Sequence, residues 1–189
     1  YAAEGDDTIT VSDTTFARVD GGSGDDTLAL DGSGITLDLT AIADNKVTSI
    51  ETIDLTGTGN NTLVVSSLEV LNLSDTSNSL TVTGDAEDIV FIGPQWTFGP
   101  QMQVAGNSQP TRFTDGAAEL IVEFGPRIGL YLPKDSGPWT ISLDEADLLF
   151  TDGTLTTRLP KDWAAEILIR GSDAADSVSI GPLASGVSP

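Results

Sequence analysis

The chain has 189 residues, 29 of them acidic and 8 basic, for a formal net charge of −21, and it contains neither cysteine nor histidine. That balance excludes unaided binding to nucleic acid or to an anionic membrane surface. The missing residue types exclude disulfides, thiolate zinc sites and histidine acid–base catalysis. Aromatics are few, at 6%, while Thr, Ser, Gly and Asp are plentiful, which points to all-β structure with many turns.

The chain opens at Tyr1 without Met and with no visible signal peptide, as expected of a segment of something longer or of a processed form. The first predicted strands follow acidic corners. Gly5-Asp6-Asp7-Thr8-Ile9-Thr10-Val11 matches Gly24-Asp25-Asp26-Thr27-Leu28-Ala29-Leu30 at an offset of 19. Both run Gly-Asp-Asp-Thr and then place apolar residues at alternate positions. Residues 21–29 also satisfy the pattern Gly-Gly-x-Gly-x-Asp-x-apolar-x of calcium-binding β-helices. There the glycines permit a tight corner that turns carbonyls toward one point, the carboxylate completes an oxygen cage for a hard cation, and the apolar residue enters the core. The candidate Ca²⁺ ligands are therefore Asp7 and Asp26 with Gly5, Gly21, Gly22 and Gly24, and with Asp6 and Asp25 beside them. The competing reading is a solvated turn in which the aspartates cap backbone amides.

Further along, Ile50–Thr56 matches Leu68–Ser74 in kind, Gly59–Val65 repeats the corner with Asn for Asp, and residues 77–82 repeat it in degraded form. Asn60 and Asn61 predict hydrogen-bonded ladders in place of calcium cages. Together these repeats predict a parallel β-solenoid with turns of about 18 residues. Leu37, Leu39, Ile53, Leu55, Leu71 and Leu73 would form an inner ladder, with Asp38, Asp54 and Asn72 pointing outward and Lys46 near enough to offset their charge.

Glycine and proline recur through residues 93–140, and the region beyond reads as β-rich but irregular. Strands are expected at 101–104, 118–124, 127–132, 139–143, 147–150 and 154–159. Short helical turns are expected near 142–147 and 162–165. A repeat-like turn returns at 166–181, where Asp173 and Asp176 are weaker ligand candidates because Ala174 and Ala175 replace the glycine and acidic positions. The division is a repeat module at 1–124, ending in a hairpin, and a β-rich region at 125–189.

The Gly-Gly-Ser-Gly-Asp-Asp corner, residues 47–92 and the stretch 96–123 resemble the RTX (repeats-in-toxin) proteins, in particular large secreted surface adhesins. That resemblance covers about residues 1–124. It implies secretion, calcium-stabilised folding and an extracellular or bacterial cell-surface location. The chain departs from it in having one perfect nonapeptide where the family has consecutive copies.

The function expected is a calcium-stabilised structural module of a secreted surface or matrix protein, an adhesin segment or a self-assembling fibre or layer subunit. Its partners would be further copies of itself, other surface proteins or glycans, with no nucleic acid and no membrane insertion. The second reading is a carbohydrate-binding or carbohydrate-acting β-helix module that uses Trp96, Trp139 and Trp163 as a sugar platform. No phosphate-cradling loop, Ser-His dyad or zinc spacing marks an enzyme, and an enzyme is not expected.

Overall fold

A computed structural model describes residues 2–74, 77–98, 110–123, 127–131, 139–144, 147–151, 156–160, 169–170 and 178–180. In chain order the strands are β1 (Thr8–Val11), β2 (Val19–Asp20), β3 (Thr27–Leu30), β4 (Thr36–Asp38), β5 (Val47–Thr48), β6 (Thr52–Asp54), β7 (Thr62–Val65), β8 (Ser79–Thr83) and β9 (Ile89–Ile92). They continue as β10 (Thr97–Phe98), β11 (Thr111–Asp115), β12 (Ala118–Val122), β13 (Arg127–Tyr131), β14 (Trp139–Asp144), β15 (Asp147–Thr151), β16 (Thr156–Pro160), β17 (Ile169–Arg170) and β18 (Val178–Ile180). One α-helix, α1 (Ser67–Leu73), and one 3-10 turn, Leu39–Ala41, complete the described elements.

The chain is β-rich and its pairing is mostly parallel. The first sheet has the order β1-β3-β6-β8-β12-β11-β10, parallel as far as β12 and antiparallel across the last two pairs. The second has the order β17-β13-β9-β7-β4 and is parallel throughout. A third pairs β2 with β5, also parallel. Parallel neighbours need a crossover between them, usually a helix. Here the crossovers are strands of the other sheets: the chain runs β3, β4, β5 and then begins again at β6.

Register follows from side-chain chemistry. In β3, β6, β8 and β12 the buried residues alternate, so one face of these strands points into a common core. Leu28, Ile53, Val82 and Val122 share one row across the first sheet, and Leu37, Leu63 and Val90 share one across the second. All seven are buried. Each contributes about 1.5–3 kcal/mol on burial, an upper figure given a compact unfolded chain. The other face of the first sheet carries a threonine row, Thr8, Thr27, Thr52 and Thr81.

The repeat length differs from the expected 18. Successive passes through the first sheet are 19, 25 and 29 residues apart (Thr8 to Thr27 to Thr52 to Thr81). The extra residues sit in the 3-10 turn with its following loop, and in α1. The match of Leu68–Ser74 to Ile50–Thr56 therefore misleads, because Ser67–Leu73 is a helix. Ser66 caps it by accepting the Glu69 N–H at 3.4 Å, and Glu69 sits three residues on, where a capping box places it. Val70 and Leu73 point inward at helical spacing, while Leu71 is 37% exposed and Leu68 60% exposed, so Leu71 leaves the expected inner ladder. Leu37 and Ile53 also lie in different sheets rather than in one ladder.

The expected offset of Asp54 by Lys46 does not form as an ion pair. Lys46 Nζ donates to the Thr14 carbonyl at 3.0 Å and lies over the Phe16 ring. Asp54 instead accepts from Thr56 and from Thr83 Oγ1 of the next pass. The helical turn expected near 142 is replaced by strand as far as Asp144, and β14, β15 and β16 form an antiparallel ribbon with β18 alongside β14. The expected strands at 118–124, 127–132, 139–143, 147–150 and 154–159 are found within two residues of their stated ends. The strand expected at 101–104 and the turn at 162–165 lie outside the described residues. β13 pairs with β9, so the second sheet runs on past residue 124.

Candidate functional site

The residue just before each of β1, β3, β4 and β7 sits at a corner, where its backbone N–H has no backbone ladder partner. A buried N–H left unpaired costs about 1–3 kcal/mol, so these corners need an acceptor. Side chains of the following pass supply it. Asp7 N–H donates to Asp26 Oδ1 at 2.8 Å, and Asp26 N–H donates to Glu51 Oε2 at 2.9 Å. On the second sheet Ile35 N–H donates to Asn61 Oδ1 at 3.0 Å, and Asn61 N–H donates to Asp88 Oδ1 at 2.7 Å. Two columns of acceptors thus run pass to pass along the molecule.

The Gly21–Asp26 corner is tight for reasons the glycines explain. Gly22 and Gly24 have φ of +103° and +141°, and a Cβ at either would collide with the backbone of the preceding pass at Ala3 or Gly5. The Gly5 N–H donates to Ser23 O at 2.7 Å. Gly21 serves a different end: a Cβ there would collide with the Ser49 carbonyl oxygen and lie 2.5 Å from Asp26 Oδ2. The missing side chain lets the Ser49 carbonyl and the Asp26 side chain both pack directly against Gly21. Ser49 reaches it with a left-handed backbone, φ +54°, unusual for a residue other than glycine.

Asp26 is fully buried. Its Oδ1 caps Asp7, but Oδ2 has no hydrogen-bond partner among the described residues. Asn61 and Asp88, fully buried at the corresponding corners, differ in this respect. Asn61 Nδ2 donates to the Leu55 carbonyl at 3.2 Å, and Asp88 Oδ2 accepts from Asp85 N–H at 2.8 Å. The ladder expected at Asn61 forms.

The other expected ligands stand near Asp26 but bond elsewhere. Asp7 Oδ2 accepts the Ala3 N–H at 3.3 Å, and Asp6 Oδ1 accepts the Asp25 N–H at 2.9 Å. No group of three or more Asp, Glu, His or Cys side chains among the described residues is gathered as a metal cage. The fit to calcium is therefore partial. Asp26 offers a buried anionic oxygen without a partner among the described residues, which suits a hard cation, while Asp6 and Asp7 act as amide caps and Asp25 gives its backbone N–H to Asp6. Glu51 was not legible as part of this corner, because it lies 25 residues from Asp26 in a segment without the glycine pattern. Asp173 and Asp176 lie outside the described residues.

A second polar cluster lies between α1 and the loop before β5. Glu69, Asp44 and Asn72 line a cavity of about 10 Å³ with Leu39, Ile42, Ala43, Val47 and Leu73. That volume holds about one water. Burial, together with the nearby Asp44 and Asp38 carboxylates, pushes the half-buried Glu69 carboxyl up to about 7.

Trp96 and Trp139 are each 2% exposed and present no ring face to a sugar, and Trp163 lies outside the described residues. Among the described residues no helix is long and apolar enough to cross a membrane. No protein-family model, curated protein or solved structure matches the chain.

Proposed function

We propose that this chain is a calcium-stabilised structural module of a secreted cell-surface or extracellular-matrix protein, folded as a closed parallel β-solenoid of the RTX type and used to extend, display or assemble. The observation that carries the reading is the buried Asp26 Oδ2. It is fully buried and has no hydrogen-bond partner among the described residues, a cost that a bound cation would relieve. The stacked parallel strands, the open ends at β1, β2 and β4, and the high negative charge are consistent with an elongated module that gains from bound cations.

The test is thermal unfolding by circular dichroism with calcium, with magnesium and with a chelator. A ligand that binds only the folded state adds about 2.7 kcal/mol at a hundredfold excess over Kd. For a chain of this size that corresponds to a rise of roughly 5–10 °C. Identical melting with calcium and chelator would overturn the proposal. Electron microscopy across the same calcium range separates the two forms of the reading: fibres indicate a subunit that assembles, monodisperse particles a display module.

A further inference from the structure

We propose that α1 is a pH-sensitive latch: a proton on Glu69 keeps the helix seated against the segment before β5, and its loss sets Glu69 against Asp44 and Asp38 and loosens the helix locally. This device is independent of any cation at Asp26.

The place of α1 in the fold makes it separable. The second pass runs β3, β4, β5, and the third runs β6, β7, α1. The helix packs on β5, which pairs with β2, so it stands where a further strand of that sheet would lie. A helix cannot continue a strand ladder, so side chains must hold it there. The joint they make is incomplete. Glu69 and Asn72 of the helix meet Leu39, Asp44 and Val47 around a cavity of about 10 Å³, and the buried Asn72 Nδ2 has no hydrogen-bond partner among the described residues.

The charges around Glu69 have one sign. Asp44 and Asp38 both act on it, and burial adds to them in pushing its carboxyl up to about 7. Lys46, the cation of the same loop, is turned to the Thr14 carbonyl and the Phe16 ring. Of the other strands packed on α1, β5 and β8 carry no charged residue, and Glu119 of β12 pairs with Arg112 at 2.6 Å. Asp115, in the neighbouring β11, accepts from Ser67 Oγ. A carboxyl whose pKa is raised in the seated helix favours that state below about 4.5 and loses its effect as pH rises through about 7.

The experiment is amide hydrogen exchange on the intact chain at pH 5 and pH 8, in chelator, with each rate expressed as protection relative to an unstructured chain. The reporters are the Val70 and Ser74 N–H groups, which donate within α1 and at its end, and the Ile50 N–H, which donates to the Leu73 carbonyl. In the wild type their protection should fall about fivefold or more from pH 5 to pH 8. That exchange should be insensitive to urea below the unfolding transition, because a local opening exposes little surface. Glu69→Gln should keep its pH 5 protection at pH 8, and Asp44→Asn should show a smaller fall than the wild type. Equal protection at the two pH values, or a fall of the same size in Glu69→Gln, would overturn the latch. So would a fall that tracks urea as exchange at Thr62 does, because the helix would then open only with the whole chain.

Discussion

Asp26→Asn tests the corner by the sign of its effect. The substitution keeps an oxygen to accept the Asp7 N–H and replaces the unpartnered Oδ2 with a neutral NH₂ group. Asn61 already works this way, donating to the Leu55 carbonyl from a corner of the same kind. Without cations, replacing a buried unsatisfied anionic oxygen by a neutral group is worth about 1–3 kcal/mol. The variant should therefore melt higher than the wild type in chelator, by roughly 2–4 °C per kcal/mol. In calcium at a hundredfold excess over Kd the wild type gains about 2.7 kcal/mol and the variant gains little, so the order closes or reverses. Circular dichroism melts of both proteins in both buffers give the four numbers required. A variant destabilised equally in chelator and in calcium would refute the reasoning, because Asp26 would then be an ordinary corner cap whose charge is tolerated without an ion.

Other perturbations follow from the same structure. Asn61→Ala leaves the Ile35 N–H and the Leu55 carbonyl unpaired in the interior and should cost about 1–3 kcal/mol for each, read as a lower urea midpoint that calcium does not restore. Ser66→Ala removes the cap of α1 and should cost about 1 kcal/mol in the same assay. Glu69 gives a pH dependence. Its folded pKa, raised by burial to about 7 from the ordinary 4.5, means that the folded chain holds the extra proton between those values. Stability should therefore fall as pH rises from about 4.5 to 7 and stay reduced above that window. Solvent screening of a half-exposed carboxyl reduces the effect to about 1 kcal/mol. Glu69→Gln should remove that slope and stabilise the protein at pH 8 but not at pH 4, as followed by urea denaturation across pH.

Legibility in the sequence depended on whether a segment carried its own local signal. The corner at residues 5–11 and 24–30 was legible because that pass is the shortest, so the repeated Gly-Asp-Asp-Thr stands at the true structural offset of 19. The later strands were legible because Gly and Pro bracket runs with alternate apolar residues, as in Ala118–Val122 and Trp139–Asp144. α1 was not, since Leu68-Glu-Val-Leu-Asn-Leu reads as alternation when compared with Ile53 and its neighbours. The discriminating signal was Ser66-x-x-Glu69, with Val70 and Leu73 three apart. Glu51 carries no such mark. Its place beside Asp26 is set by parallel pairing of β3 with β6, a long-range contact that a local motif does not encode.

The variable passes and the constant corners have one physical explanation. The starts of β1, β3, β4 and β7 are each pinned by a side chain of the next pass, so register is held there, and inserted residues can accumulate elsewhere without displacing the apolar rows. Three of these pins, Asp26, Asn61 and Asp88, are fully buried. Each accepts one backbone N–H, and the three differ in their second polar atom. Asn61 donates it to a carbonyl and Asp88 uses it to accept another N–H, while that of Asp26 has no partner among the described residues. A neutral amide would satisfy the Asp26 corner as it does the corner at Asn61. A carboxylate there lowers stability unless a positive charge reaches it. The case for a cation thus rests on three matched corners in one chain, of which one is chemically incomplete.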